Sequence, residues 1–239
     1  MTAVLGVLRF IAGVAVCLIF AVLAILSIPF DRGTGRLFHK VARAWAIVVL
    51  FVTGVRVTVS GLDRLRHDRA YIYVSNHASL FDIPVVFAGI PDDIRVVYKK
   101  ELEKIPLFGW GLKMGAYISI ERGRGPRAAR SLEEAVRKMQ GGASLLLYAE
   151  GTRTMDGRLQ PFKRGAFHLA RRASVPVVPL TINGTYSILR KHSVMIRPGT
   201  AQLILGDPIE PSPASGRDAE LALMDMVHRE IVKTYINQT

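Results

Sequence analysis

The stretch AYIYVSNHASLFD, residues 70–82, decides the fold class because a strand pattern and the start of a helix meet in it. Its first part, AYIYVS, is rich in aromatic and β-branched residues, which favour a β-strand. The apolar residues that follow, from about Ile83, are typical of a buried helix. A strand that leads directly into a helix is the repeating unit of α/β proteins.

Similar patterns lie on both sides of this unit. Further strands are predicted at residues 54–62, 94–98, 117–120, 144–149, 175–182 and 201–206. Helical patterns alternate with them at 126–140, 165–173 and 219–235, and the first of these begins with proline. The alternation predicts an α/β fold, with a mostly parallel sheet flanked by helices on both faces. Functional sites in such sheets lie beyond the carboxyl ends of the strands.

The N-terminal part of the chain has a different composition. Residues 10–30 carry no charge and are long enough to cross a hydrocarbon core of roughly 30 Å as a helix. A second apolar run, residues 44–55, is shorter and suits a helix that dips into one leaflet or packs on the protein. We therefore predict an N-terminal helical membrane anchor at 1–54 and an α/β domain at 55–239. We prefer a retained segment to a cleaved signal peptide, because the run is long and lacks a clear cleavage pattern.

The charge balance favours anionic partners. Lys and Arg number 32 against 19 Asp and Glu, a formal net charge of +13. Such an excess suits lipid headgroups, phosphorylated substrates or nucleic acid. The apolar N-terminus favours lipid, and no zinc-finger spacing or aromatic RNA-binding block is present. Between the apolar runs lie Arg32, Arg36, Lys40 and Arg43, which either face an anionic membrane surface or form a solvated connector.

The first candidate site follows the strand in the opening stretch. His77 stands at the strand end, and Asp82 stands five residues later at the start of the helix. From these positions Asp82 can accept a hydrogen bond from one ring nitrogen and leave the other free as a general base. The alternative is structural, with Asn76 and His77 capping the helix. A covalent serine mechanism through Ser75 or Ser79 is disfavoured, because neither serine lies in a G-x-S-x-G turn.

The second candidate site follows the strand SLLLYA. Gly151 permits a tight turn, and Thr152 and Arg153 offer hydrogen-bond donors suited to a phosphate. Glu150 precedes them at the strand end, and Lys163 follows shortly before a helix whose N-terminus also favours anions. A solvated loop with a surface ion pair is the alternative interpretation. No histidine shows metal-ligand spacing, so no metal site is predicted.

Four blocks in order now carry a resemblance to a known family. They are N-H-x4-D at 76–82, Y-I-S-I-E-R at 117–122, Y-A-E-G-T-R-T at 148–154 and V-P-V-V-P at 175–179. Together they resemble the glycerolipid acyltransferase family, specifically bacterial lysophosphatidate acyltransferases, over roughly residues 55–205. Tyr148 and Ala149 stand where this family usually has Phe and Pro, and Glu121 stands where it usually has Asp.

The resemblance implies roles for the residues in these blocks. His77 and Asp82 correspond to the catalytic dyad of the family. The resemblance implies substrate contacts for Arg122 of the second block and for residues 150–153 of the third. Asn76, next to His77, and Lys163, shortly after the third block, complete our predicted substrate-binding set. The set is Asn76, Arg122, Glu150, Gly151, Thr152, Arg153 and Lys163.

The resemblance also implies the reaction and its partners. We expect transfer of a fatty acyl group from acyl-CoA or acyl carrier protein to the free hydroxyl of 1-acylglycerol 3-phosphate, giving phosphatidic acid. The thioester is a co-substrate, and no bound cofactor is expected. The expected partners are the lipid bilayer, the lysophospholipid acceptor and the acyl carrier, but not nucleic acid. The expected location is the bacterial inner membrane, with the catalytic domain facing the cytosol. Another lysolipid acceptor and a non-catalytic basic membrane-binding protein remain as alternatives.

Overall fold

The computed structural model describes residues 2–31, 33–66, 68–105, 108–114, 117–120, 126–214 and 216–237. The strands are β1 (Val55–Ser60), β2 (Ile72–Ser75), β3 (Ile94–Lys99), β4 (Ile118–Ile120), β5 (Ser144–Tyr148), β6 (Val177–Asn183) and β7 (Gly199–Leu205). The helices are α1 (Thr2–Ser27), α2 (Arg36–Thr53), α3 (Asp82–Gly89), α4 (Phe108–Met114), α5 (Pro126–Gln140), α6 (Gly165–Ala173), α7 (Thr185–Ile188) and α8 (Arg217–Thr234). Every predicted strand and helix corresponds to one of these elements.

The strands form one sheet in the order β1-β7-β6-β2-β5-β3-β4. All neighbouring strands pair in parallel except β6 and β7, which are antiparallel. The predicted fold class, a mostly parallel sheet flanked by helices, is confirmed. The reversal at β7 was not predicted. A parallel connection needs a crossover that returns the chain to the opposite end of the sheet, usually through a long helix. The segment that joins β6 to β7 contains only the four-residue helix α7.

Alternating side chains of the central strands pack against helices on opposite faces of the sheet, as the two-residue repeat of a strand requires. Tyr73 belongs to the core cluster that includes residues of α2 and α3, whereas its neighbours Ile72 and Val74 belong to the cluster that includes residues of α5, α6 and α8. The carboxyl ends of β2 and β5 lie side by side, with Ser75 opposite Tyr148. The two candidate sites therefore emerge at the same edge of the sheet.

The second apolar run forms the C-terminal part of α2, and this helix packs on the protein. Its buried residues are Phe38, His39, Ala42, Ala46, Val49, Leu50 and Thr53. Before the helix, Asp31 accepts a hydrogen bond from the backbone N–H of Leu37 at 2.9 Å. Farther along, the Arg43 guanidinium donates to the carbonyl of Ile90 at 3.1 Å, just beyond α3. The structure shows that one face of this run packs on the protein, while Ile47 and Phe51 are exposed, and its dipping into one leaflet stays a prediction.

The first apolar run covers most of α1 and the 3-10 turn Ile28–Phe30 that follows it, and α1 packs along α2. By length and composition, one helical stretch among the described residues, Ala3–Phe30, could cross a membrane. Many of its large apolar side chains are exposed. They include Val4, Leu5, Leu8, Ile11, Ile19 and Leu26. Arg32 of the basic connector lies outside the described residues.

Candidate active site

The loop between β2 and α3 is held in place by Asn76. Its side-chain amide donates to the carbonyl of Ile182 at 2.9 Å and accepts from the N–H of the same residue at 2.8 Å. Asn76 is almost fully buried, and its amide is occupied by the backbone of β6. The structure therefore shows Asn76 fixing the start of the loop on the neighbouring strand. Its predicted contact with substrate stays a prediction.

His77 and Asp82 meet directly, as their spacing predicted. Asp82 is the first residue of α3, and its Oδ2 lies 2.6 Å from Nδ1 of His77. The same oxygen accepts the backbone N–H groups of Ala78 at 2.8 Å and Ser79 at 3.0 Å. The Asp82 carboxyl is fully buried, whereas the His77 side chain is 17% exposed. A buried carboxylate with three donors favours the tautomer with the proton on Nδ1, which leaves Nε2 as the acceptor.

The two nearby serines take no part in this pair. Ser79 donates its hydroxyl hydrogen bond to the carbonyl of Leu189 at 2.8 Å and accepts the N–H of Phe81 at 3.2 Å. Ser75 is buried, and within the described residues its hydroxyl has no hydrogen bond to His77. A nucleophile is activated by a base within hydrogen-bond reach. The geometry therefore favours His77 acting directly on an incoming hydroxyl.

Glu150 joins the two candidate sites from inside the protein. Its Oε1 accepts the backbone N–H of His77 at 2.7 Å, and its Oε2 accepts that of Gln160 at 3.0 Å. Burial raises the pKa of Glu150 to about 7, and the two backbone hydrogen bonds only partly offset this effect. Glu150 is 2% exposed, and both of its carboxyl oxygens accept hydrogen bonds. Glu150 thus fixes the backbone of His77, and its predicted contact with substrate remains a prediction.

The turn after β5 lies against the His77 loop. Gly151 has a φ of +70°, which favours glycine, and its N–H donates to the carbonyl of Tyr148 at 3.0 Å. Thr154 donates its backbone N–H to the carbonyl of His77 at 2.9 Å. Thr152 and Arg153 lie between them and are half-buried. Burial lowers the pKa of Arg153, although the nearby Asp82 carboxylate opposes this shift.

The other predicted substrate residues have different positions. Lys163 is exposed, and its backbone N–H donates to the carbonyl of Ala149 at 2.8 Å. Arg122, together with Glu121 before it, lies outside the described residues. Among the residues that the structure describes, no three His, Cys, Asp or Glu side chains converge as a metal site would require. The groups that do converge offer proton transfer at His77 and positive charge at Arg153.

Two contacts at the site were not predicted by the sequence analysis. The ring of Tyr148 stacks on the imidazole of His77, with 3.8 Å between centroids and 13° between planes. Lys191 lies beside the E-G-T-R turn, with Nζ 3.3 Å from the carbonyl oxygen of Arg153 and 3.5 Å from Oγ1 of Thr152. Tyr148 lies in the third sequence block, but its stacking on His77 depends on β2 and β5 becoming neighbours in the sheet. Lys191 follows α7 in a segment that matches none of the four sequence blocks, so the sequence analysis did not place it here.

Comparisons with known proteins show which family the chain resembles. The model of the acyltransferase family matches residues 56–183, which include His77, Asp82 and the E-G-T-R turn. A chloroplastic 1-acyl-sn-glycerol-3-phosphate acyltransferase, BAT2, from Brassica napus is 32% identical over 84% of this chain. This chain spans 62% of the length of that relative. The 1-acyl-sn-glycerol-3-phosphate acyltransferase alpha from Ovis aries is 29% identical, over 89% of this chain and 75% of its own length.

A solved structure extends the likeness to the whole fold. The 1-acyl-sn-glycerophosphate acyltransferase PlsC from Thermotoga maritima superimposes with a TM-score of 0.79 at 26% identity. The match covers 99% of this chain and 98% of that one, so it includes the N-terminal helices. The family match spans more than half of the sequence and contains the paired His77 and Asp82. On these grounds the chain belongs to the acyltransferase family.

Proposed function

We propose that the protein transfers a fatty acyl group from a thioester carrier to the free hydroxyl of 1-acylglycerol 3-phosphate, giving phosphatidic acid. The observation that carries the proposal is the 2.6 Å contact between Nδ1 of the partly exposed His77 and the buried Asp82. The names of the relatives from Brassica napus and Ovis aries support the same acceptor. Acyl-CoA and acyl carrier protein both supply the required thioester, and no bound cofactor takes part in the proposed reaction.

The mechanism follows from the geometry of the pair. Nε2 of His77 takes the proton of the acceptor hydroxyl while that oxygen attacks the thioester carbonyl. Asp82 holds the ring through Nδ1 and stabilises the imidazolium that forms. The tetrahedral intermediate then collapses, the C–S bond breaks, and the imidazolium returns its proton to the departing thiolate. The products are the new ester and the free thiol, and His77 is again neutral.

The phosphate of the acceptor is proposed to bind at the turn after β5. Arg153 places a guanidinium there, and Gly151 lets a ligand approach the backbone closely. The turn adjoins the catalytic loop through the hydrogen bond from Thr154 to the carbonyl of His77. In this proposal Thr152 and Lys163 supply further donors, and Arg122 contributes from the second sequence block.

The proposed setting is a bacterial inner membrane, with the catalytic domain on the cytosolic side. In this proposal residues 1–54 anchor the α/β domain of residues 55–239. The exposed apolar side chains of α1 and the exposed basic residues Arg36 and Lys40 support membrane attachment, whereas the Arg43 guanidinium is bound to the carbonyl of Ile90. A basic connector on the cytosolic side agrees with the positive-inside tendency, and acyl carriers are cytosolic. The structural likeness to a Thermotoga maritima enzyme supports a bacterial type of protein.

The test is acyl transfer by the purified full-length protein. Labelled acyl-CoA and acyl carrier protein would be supplied separately with lysophosphatidate, lysophosphatidylcholine and glycerol 3-phosphate as alternative acceptors. We expect phosphatidic acid as the main product and a loss of roughly 10²- to 10⁴-fold in His77→Ala, because a positioned base is removed. Transfer to a different acceptor would revise the substrate, and absence of transfer to any acceptor would favour a non-catalytic protein.

A second histidine–carboxylate pair provides a matched control. Nδ1 of His168 lies 2.8 Å from Oε1 of Glu220, where α6 meets α8. His168→Ala removes the same kind of pair away from the strand ends, so we expect activity close to that of the wild type. Equal losses in His77→Ala and His168→Ala would indicate general destabilisation. Near-normal turnover in a folded His77→Ala protein would exclude the proposed mechanism.

A further inference from the structure

The segment that follows α7 connects the candidate active site with the start of α1. We call residues 190–197 the basic loop. Upstream of it, the carbonyl of Leu189 accepts the Ser79 hydroxyl hydrogen bond, and within it Lys191 lies beside Arg153. At its other end, the N–H of Ile196 donates to the carbonyl of Gly6 in the first turns of α1, at 3.3 Å. The position of this loop is therefore coupled both to the catalytic loop and to the apolar helix.

The basic loop is well defined by its own hydrogen bonds. Ser193 donates its N–H to the carbonyl of Arg190 at 3.1 Å, and its hydroxyl accepts the N–H of Met195 at 3.0 Å. Arg197 donates its N–H to the carbonyl of Ile188 at 2.9 Å. Ile196 is buried at 4% exposure and fixes the loop on the core. Two large apolar residues before it, Val194 and Met195, are nevertheless 50% and 37% exposed.

The charges of the loop all have the same sign. Arg190, Lys191 and Arg197 are cationic, and residues 185–206 contain no Asp or Glu. Exposed apolar side chains among cationic ones are the composition of a surface that lies in the headgroup region of an anionic bilayer. The surface also continues into the exposed apolar side chains of the first turns of α1, Val4, Leu5 and Leu8.

We propose that the basic loop is a second membrane contact, in which Val194 and Met195 insert at the headgroup level of an anionic lipid bilayer. This contact sets the depth at which the catalytic loop meets the membrane, because the basic loop is hydrogen-bonded both to Arg153 and to α1. An acceptor lysolipid whose acyl chain stays in the bilayer then presents its headgroup at the height of His77. The inference on membrane contact stands on the loop itself, whereas its effect on catalysis rests on the proposed function.

The chain contains a closely matched control surface. Val232 and Met226 on α8 are 50% and 37% exposed, the same fractions as Val194 and Met195. They lie on a helix whose buried residues belong to the core cluster on the other face of the sheet. A difference in membrane contact between the two pairs therefore reflects their location, because residue type and exposed fraction are the same.

The first experiment measures membrane contact without any enzymatic assay. Single cysteines replace Val194 or Val232 in a Cys17→Ala background, and each carries an environment-sensitive fluorophore. The full-length proteins are reconstituted in vesicles of equal parts phosphatidylcholine and phosphatidylglycerol. We expect a blue shift and quenching by a lipid-borne quencher at position 194, and neither at position 232. Equal water exposure at both positions would overturn the proposal. So would a response at position 194 to acyl carrier protein but not to vesicles.

The second experiment connects the contact with catalysis. Val194→Glu combined with Met195→Glu should lower transfer to a bilayer-embedded acceptor by roughly tenfold, because acidic side chains oppose insertion at an anionic surface. Transfer to a detergent-dispersed short-chain acceptor should be unchanged. Val232→Glu combined with Met226→Glu should leave both activities unchanged. If the wild type transfers no acyl group, the proposed function fails while the fluorescence result still stands. If the loop variant loses both activities equally, the role in setting depth is wrong.

Discussion

The phenol ring of Tyr148 lies face to face with the imidazole of His77, at 3.8 Å between centroids and 13° between planes. The stack restrains the imidazole from one face, while Asp82 restrains it through Nδ1 at 2.6 Å. Two such restraints fix both the position and the plane of the ring. A base held in this way is mostly in the reactive orientation, so we expect the stack to increase kcat.

The first prediction separates the ring of Tyr148 from its hydroxyl. The hydroxyl is buried and has no hydrogen-bond partner among the described residues. Tyr148→Phe should therefore keep activity, since an apolar group replaces an unpaired polar one at little cost. Tyr148→Leu should lower kcat by roughly tenfold with KM unchanged, because the orientation of the base is lost but substrate contacts are not.

The control for this prediction is Tyr71→Leu. Tyr71 is 1% exposed, whereas Tyr148 is partly buried, and Tyr71 precedes β2 at the opposite end from His77, where its hydroxyl accepts the N–H of Arg66. It should lower the thermal stability without a specific fall in kcat. A large loss of activity in Tyr148→Phe would show instead that the hydroxyl takes part in the reaction.

The second prediction concerns the pH dependence of stability. Burial raises the pKa of Glu150 from 4.5 to about 7 in the folded protein. Between these values the folded state retains a proton that the unfolded state has lost, so this contribution to stability falls as the pH rises. Glu150→Gln removes the effect. The stability of the wild type relative to this variant should decrease by up to about 3 kcal/mol from pH 4.5 to pH 7. Unfolding in detergent at stepped pH measures this difference, and parallel curves would contradict it.

The third prediction concerns His39 in α2, whose contribution to stability changes with pH in the direction opposite to that of Glu150. Nε2 of His39 lies 3.0 Å from the carbonyl oxygen of Asp92, and burial lowers the pKa of His39 to about 4 from 6.5. Between these values the unfolded state gains a proton that the folded state excludes, so stability is lost as the pH falls. The uncharged substitution His39→Gln should reduce this acid sensitivity between pH 6.5 and pH 4. Hydrogen exchange in α2 reports the loss locally, and an unchanged acid profile would contradict the prediction.

The fourth prediction tests the proposed phosphate site. Arg153→Ala should raise the KM for lysophosphatidate by roughly tenfold with little change in kcat, because a charged interaction equal in ground and transition states is removed. Lys163→Ala is the comparison, since this exposed lysine lies farther along the chain and should have a smaller effect. A rise in the KM of the acyl donor instead would assign the turn to the donor.

The fold could be predicted from local patterns because strand and helix signals alternate along the chain. The reversal at β7 could not, since strand direction depends on the path of the connection and not on the residues of the strand. The meeting of His77 and Asp82 was predictable because they lie on one short turn. The stacking of Tyr148 and the approach of Lys191 depend on which strands become neighbours, which short-range spacing does not encode. Glu150 was recognised as a site residue, but its bond to the backbone of His77 required the assembled sheet.

The two hydrogen bonds between Asn76 and Ile182 have a consequence for the order in which parts of the protein fold during synthesis. The two residues are 106 positions apart in sequence, and their paired hydrogen bonds hold the start of the catalytic loop. During synthesis, His77 and Asp82 emerge from the ribosome before the residues of β6 have been added to the chain. A nascent chain therefore carries both members of the pair without the strand that fixes their loop. Contacts of such long range form late and slowly. If α1 anchors the chain as proposed, this helix can reach the membrane before the proposed active site has formed.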